Sequence, residues 1–220
     1  MMFELRLLAH YSRDAVLCDA FRHNEDIHTR TASEVFGVPP LMVDAEQRRN
    51  AKAVNFGIVY GQTAFGLSQQ LGIDRREADQ YIRAYFERYS GVRRWIDQTI
   101  AEVRRTGYAV NLFGRRRPIP DIASRNPNAR GFAERTAVNT PLQGTAADLI
   151  KLAMIRIAAK LAGKKSRMLL QVHDELVLEA PPEEVSEVRA MVKSEMESVR
   201  KFEVPLLVET GVGTNWRDAK

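Results

Sequence analysis

Residues 48–61 read Arg48-Arg49-Asn50-Ala51-Lys52-Ala53-Val54-Asn55-Phe56-Gly57-Ile58-Val59-Tyr60-Gly61. Arg48, Lys52, Phe56 and Tyr60 recur at every fourth position. In an α-helix each such step rises about 6 Å and turns about 40° off the starting direction. The four side chains then form one slowly winding stripe, with two cations first and two aromatics after. A nucleoside triphosphate has the same polarity, an anionic tail followed by a flat base. Arg grips phosphate oxygens through a rigid fork, and Lys supplies a compact charge. The helix N-terminus adds positive potential at the same end. Phe and Tyr offer faces to a base or sugar. In isolation the pattern also fits an amphipathic helix with solvated cations and core aromatics.

The rest of the chain bounds the choice. A chain of 220 residues is long enough for a sizeable core, in one domain or two subdomains. Lys and Arg number 33 against 28 Asp and Glu, which permits a polyanionic partner without specifying one. The single cysteine, Cys18, cannot form an internal disulfide, so a small buried side chain in a reducing, cytoplasmic setting is expected. No apolar run approaches the ~18 residues of a membrane span.

Upstream of the stripe, Leu5, Leu8 and Ala9 give an apolar helical face, and Pro39-Pro40 excludes helix locally. Asp44 reads as an N-cap. Downstream, Thr63 to Leu71 reads as a short helix stopped at Gly72, and Asp74 caps the next one. Tyr81, Tyr85, Phe86, Tyr89, Trp95, Ile96 and Ile100 recur at helical spacing and are read as core. Residues 107–122 read as a short hairpin turning at Gly114, followed by Arg115, Arg116 and Arg117. Such a charge run is either a solvated face or a phosphate contact.

A helical pattern runs from Arg130 to about Leu161, with Pro141 removing one backbone donor and bending the helix. Arg135, Asn139 and Gln143 make a second, polar stripe along it. Asn and Gln suit the acceptors that every base pair shows in the minor groove, and equally suit an interhelical polar network. Met168 to Glu179 then reads as a hairpin between buried strands with His173-Asp174-Glu175 at the bend. Two adjacent carboxylates there suit Mg²⁺, although Asp174 also reads as a turn former. A last helix follows Pro181-Pro182, and Leu206 to Glu209 reads as a final strand.

Taken in order, these stretches resemble the polymerase domain of the family A DNA polymerases, the bacterial polymerase I type, across essentially the whole chain. The stripe from Arg48 to Gly61 is similar to motif B. Gln171-Val172-His173-Asp174-Glu175 is similar to motif C. Glu4-Leu5-Arg6-Leu7-Leu8-Ala9-His10 is similar to the second half of motif A, and residues 130–152 to the long palm helix. The ordered set is specific where each motif alone is not.

The resemblance implies an α+β fold, a mostly helical fingers subdomain inserted in a palm with a small antiparallel sheet, as part of an incomplete right hand. Residues 1–23 would be partial palm, 24–130 fingers and 131–220 palm. It implies template-directed DNA synthesis on primer-template DNA from dNTPs, with two Mg²⁺ ions or Mn²⁺ in their place. The intact protein would be monomeric and nucleoid-associated, without a membrane. Arg48, Lys52 and His28 would hold the triphosphate. Phe56 would pack on sugar and base, Tyr60 would sit at the template-base position, and Glu4 would exclude a ribose 2′-hydroxyl. Arg115, Arg135, Asn139, Gln143 and His173 would meet DNA. Asp174 and Glu175 would be the acidic metal ligands, with Lys52 also in a catalytic role.

One departure stands out. The family's motif A opens on an Asp that bridges both metals, and here that position falls before residue 1. The expectation is a chain that identifies the enzyme but is catalytically crippled alone and prone to association through an exposed sheet edge. Two other readings remain at this stage. One is a relative of single-subunit RNA polymerases, and the other a non-catalytic DNA- or nucleotide-binding remnant.

Overall fold

The computed structural model describes residues 2–219. Met1 and Lys220, at the outer ends of the two expected palm segments, lie outside the described residues.

Helix α1 (Met2–Ser12) ends at a corner made by Asp14, whose Oδ1 accepts from the backbone of Val16 and Leu17 and so starts α2 (Ala15–Arg22). Oδ2 of the same side chain accepts from Gly91 N at 2.8 Å, which ties this corner to a later helix. Only glycine fits there, because a Cβ on Gly91 would lie 2.8 Å from the Asp14 Cα. Asp26 caps α3 (Ile27–Phe36) in the same manner. Asp44 and Gln47 form a reciprocal capping box at the start of α4 (Ala45–Val59), which carries the cation–aromatic stripe. Thr63 and Asp74 cap α5 (Ala64–Leu71) and α6 (Arg75–Arg88), and Gly72 ends α5 in the left-handed conformation. The starts at Asp44, Thr63 and Asp74 and the stop at Gly72 match the sequence expectation.

Helix α7 (Ser90–Thr106) leads into β1 (Tyr108–Val110) and β2 (Arg116–Pro118), paired antiparallel around Gly114. Helix α8 (Pro127–Leu161) starts three residues before the expected Arg130, because Asn126 supplies a cap and Pro127 suits the first turn. It continues through Pro141. The second hairpin joins β3 (Arg167–Val172) to β4 (Glu175–Glu179) with Val172 opposite Glu175, and α9 (Val185–Glu197) follows. The class is thus α+β as expected, mostly helical, with two small antiparallel sheets among the described residues.

The core lies where α1, α4, α6 and α8 converge. Leu5, Leu8 and Ala9 pack there with Val54, Ile58, Tyr85, Tyr89, Leu142, Leu149 and Ile157, all essentially buried. Cys18 is also buried, its thiol against the Ala9 carbonyl at 3.4 Å. A second, smaller cluster of Val103, Ala109, Ile119, Ile122, Ala133 and Ala137 fixes the first hairpin against α7 and the start of α8.

Two expectations are corrected. The strand at Leu206–Glu209 is absent: residues 205–213 form neither helix nor strand. Pro205 lacks an N–H, its carbonyl accepts from Arg6 at 2.7 Å, and Val208 N–H donates to the Glu197 side chain. Side chains thus take the backbone groups that a ladder would use. The motif C hairpin is also less buried than expected, with Leu169 and Leu170 about half exposed. Its β-propensity produces the ladder, while among the described residues helices cover only part of its two faces.

Candidate functional site

The first turns of α4 set out the cations. Arg48 and Lys52 are both exposed. Arg48 donates through Nε and Nη2 to Oδ2 of Asp26, at 3.1 and 2.6 Å. The other Asp26 oxygen caps α3, accepting from the backbone of His28 and Thr29. One carboxylate therefore joins the start of α3 to the start of α4. Partial burial alone would raise the Asp26 carboxyl, but the hydrogen bonds from Arg48 and Thr29 outweigh it and hold it below its ordinary value.

His28 is the second residue of α3 and is almost fully buried. Burial lowers its pKa to about 4, with Arg48 and Lys52 pushing the same way and Asp26 opposing them. The imidazole is thus neutral at pH 7 and sits within electrostatic reach of both cations. Its Nδ1 is 3.2 Å from the Asn55 side-chain nitrogen. Its ring centroid is 5.8 Å from that of Phe56, the next residue of the stripe.

The stripe ends at Tyr60, the C-cap of α4. Its hydroxyl donates to Oε2 of Glu4 on α1 at 2.6 Å. Burial, then Glu4, then the more distant charge of Asp174 raise the Tyr60 phenol well above its ordinary range. Two stretches 56 residues apart thus meet here, within electrostatic reach of Asp174, 114 residues further along. Gly61 follows at φ 65°, and the Arg135 side chain of α8 lies across it: a Cβ there would come within 2.7 Å of Arg135 Cγ.

Asp174 and Glu175 sit exposed at the tip of the second hairpin. His173 makes the turn at φ 53°, and the Gln171 side chain donates to its carbonyl. The two carboxylates are hard oxygen donors of the kind Mg²⁺ prefers. Among the described residues, however, no group of three His, Cys, Asp or Glu side chains gathers that could hold a metal ion. The donors present do not make a complete metal site.

On α8, Arg135 is half-buried against Gly61 and Gln143 is exposed. Asn139 keeps its Oδ1 buried with no hydrogen-bond partner among the described residues. Arg115 stands on the first hairpin, its Nε 2.9 Å from Oδ1 of Asp148, while Asn111 donates to the other Asp148 oxygen at 2.7 Å. Asn111 also accepts from the backbone of Phe113 and Arg115. Thr145 Oγ1 accepts from Leu112 N and meets the Tyr11 hydroxyl at 2.6 Å. One turn of α8 therefore fixes the whole arginine-bearing bend. Sequence reasoning missed Asn111, Thr145 and Asp148 here, and Asn55 and Thr31 behind His28. Their partners lie too far along the chain for spacing to reveal, and a buried polar residue inside a helical pattern was the only available signal.

DNA polymerase family A matches residues 2–218. The chain belongs to that family. It is similar to the DNA polymerase I of Streptococcus pneumoniae strain R6, 53% identical over 220 residues, and to the thermostable DNA polymerase I of Thermus filiformis, 52% identical over 217. Each comparison takes in 99% of this chain, which spans about a quarter of the length of these relatives. The fold matches a solved structure, the POL domain of Pol1 from M. smegmatis in complex with DNA primer-template and dNTP. That match has a TM-score of 0.94 and 43% identity, covering 99% of this chain and 39% of the other. Family A membership replaces the reading as a relative of RNA polymerases.

Proposed function

We propose that this chain is the fingers and palm part of a template-directed DNA polymerase, the part that holds the incoming dNTP and the primer-template. The observation that carries the reading is the convergence of Arg48, Lys52 and neutral His28 at one end of α4, with Tyr60 meeting Glu4 near Asp174 at the other. The M. smegmatis relative, solved with DNA primer-template and dNTP, supports it.

In this reading Arg48 and Lys52 hold the triphosphate, His28 donates a neutral hydrogen bond to it, and Phe56 packs on the sugar and base. Tyr60 lies at the template-base position, and Glu4 screens out a ribose 2′-hydroxyl. Arg115, Arg135, Asn139, Gln143 and His173 meet the duplex. Residues 24–130 form the fingers, and 1–23 with 131–220 belong to the palm. The intact protein works as a cytoplasmic monomer on the nucleoid. Among the described residues no helix is long and apolar enough to cross a membrane.

The reaction is nucleotidyl transfer from a dNTP to a primer 3′-hydroxyl. A divalent metal, Mg²⁺ or Mn²⁺, would supply Lewis-acid activation of that hydroxyl and charge neutralisation at the triphosphate. Asp174 and Glu175 would hold it, and among the described residues no third His, Cys, Asp or Glu side chain joins them to complete the site. The 220-residue polypeptide by itself is therefore proposed to be inactive in extension. Primer extension by this chain, by its Asp174→Ala variant, and by a version lengthened to include the motif A aspartate tests this. Extension confined to the lengthened version, and lost with Asp174→Ala, is expected. Extension by the 220-residue chain itself would overturn the incomplete-site reading.

A further inference from the structure

Behind His28 runs a chain of buried hydrogen bonds that the nucleotide reading leaves unexplained. The Asn55 side chain is completely buried, as are Thr31 and Tyr89. Thr31 Oγ1 lies 3.2 Å from Asn55 Oδ1 and 3.3 Å from the Tyr89 hydroxyl, and Asn55 Nδ2 lies 3.2 Å from His28 Nδ1. Two helices and one junction contribute: α3 brings His28 and Thr31, α4 brings Asn55, and Tyr89 stands between α6 and α7.

Such a chain can run in two directions, and they are not equivalent. If Tyr89 donates to Thr31, Thr31 donates to Asn55, and the Asn55 amide donates to His28, then both hydroxyl protons have acceptors. In the reverse direction His28 Nδ1–H donates to Asn55, Asn55 to Thr31, and Thr31 to Tyr89. The buried Tyr89 proton is then left without an acceptor among the described residues, and an unmade hydrogen bond in a buried site carries the full desolvation penalty of the group. The first direction wins. It makes Nδ1 of the neutral imidazole an acceptor and places the proton on Nε2. Nε2 has no hydrogen-bond partner among the described residues, yet is not one of their buried unpartnered polar atoms, so it remains open to a ligand.

We propose that Asn55 is a positioning residue for nucleotide binding: backed by Thr31 and Tyr89, it fixes His28 as an Nε2–H donor facing the triphosphate. This rests on the reading of α4 as the triphosphate site. The design suits a polyanion already met by two cations. A neutral, pre-oriented donor adds a hydrogen bond to phosphate without the cost of burying a third positive charge beside Arg48 and Lys52.

The test is ¹⁵N NMR of histidine-labelled full chain at pH 7, with His28 assigned by its loss in His28→Gln, together with a dATP titration. Nε2–H is expected at His28 in the wild type. Asn55→Asp, which can only accept, should move the proton to Nδ1 and weaken dATP binding roughly fivefold or more. Thr31→Val, which frees the Asn55 amide to rotate, should shift both readouts the same way and serves if Asn55→Asp does not fold. A wild-type Nδ1–H tautomer overturns the proposal. So does unchanged dATP affinity in a folded variant whose tautomer has switched. A wild-type Nε2–H tautomer in a chain that binds no dATP overturns the triphosphate reading, while the tautomer assignment stands.

Discussion

The Tyr60 hydroxyl donates to Glu4 at 2.6 Å, which joins the last turn of α4 to the first turn of α1 across 56 residues of chain. The contact is substantially exposed, so Tyr60→Phe should cost less than about 1 kcal/mol in urea unfolding at pH 7. Alkali should reveal more. Burial first, and then Glu4 and Asp174, hold the Tyr60 phenol above its unfolded value of 10.0. Burial likewise raises Tyr11, Tyr85 and Tyr89, and burial with Glu77 takes Tyr81 to about 12. A raised phenol contributes stability that is complete below pH 10 and is lost as pH rises toward the folded value. The protein should therefore weaken steeply above pH 10, and phenolate absorbance should rise in step with unfolding.

His28 gives the opposite sign. Its folded pKa of about 4 lies below the unfolded 6.5. Its contribution is complete above pH 6.5 and is lost as pH falls toward 4, where the unfolded chain binds the proton first. The stability difference between wild type and His28→Gln should shift against the wild type over that window. An NMR titration of the ring should show a midpoint near 4, and a midpoint near 6.5 would contradict the buried, neutral imidazole.

Gly61 holds a left-handed backbone and lies under Arg135. Gly61→Ala should cost about 1–2 kcal/mol from backbone strain alone, with added loss from displacing the Arg135 side chain. Urea unfolding measures the first. The second should appear as weaker primer-template binding, whereas Gly72→Ala, with nothing near the added Cβ, should show only the stability loss.

Asp148 holds Arg115 from below, and Asn111 holds Asp148. Arg115→Ala should weaken duplex binding across sequences alike and reduce the salt slope by about 1. Asn111→Ala should leave Asp148 short of a donor and cost about 1–3 kcal/mol in stability. An unchanged salt slope in Arg115→Ala would mean the arginine serves only the fold.

Local signals carried most of the fold. Asp44, Thr63 and Asp74 as caps and Gly72 as a stop are short-range chemistry, and each helix boundary they mark is where the chain places it. The false strand at Leu206 came from a β-prone run whose backbone partners are side chains of Arg6 and Glu197, and no local pattern announces those. The stripe on α4 was legible because helical spacing is itself local. What surrounds it was not: Asp26 on Arg48, Asn55 behind His28, and Glu4 on Tyr60 are contacts between elements 22 to 56 residues apart. The periodicity names the residues of the site, and tertiary packing decides their protonation and their partners.

The most direct measurement is a titration of the 220-residue chain with fluorescent dATP, repeated with Lys52→Ala and Arg48→Ala. Each removes a charge-assisted contact to phosphate, so each variant should bind roughly tenfold or more weakly, with unfolding midpoints little changed because both side chains are exposed. Unaltered affinity in both variants would contradict α4 as the triphosphate site, and with it the reading of this chain as the nucleotide-holding part of a polymerase.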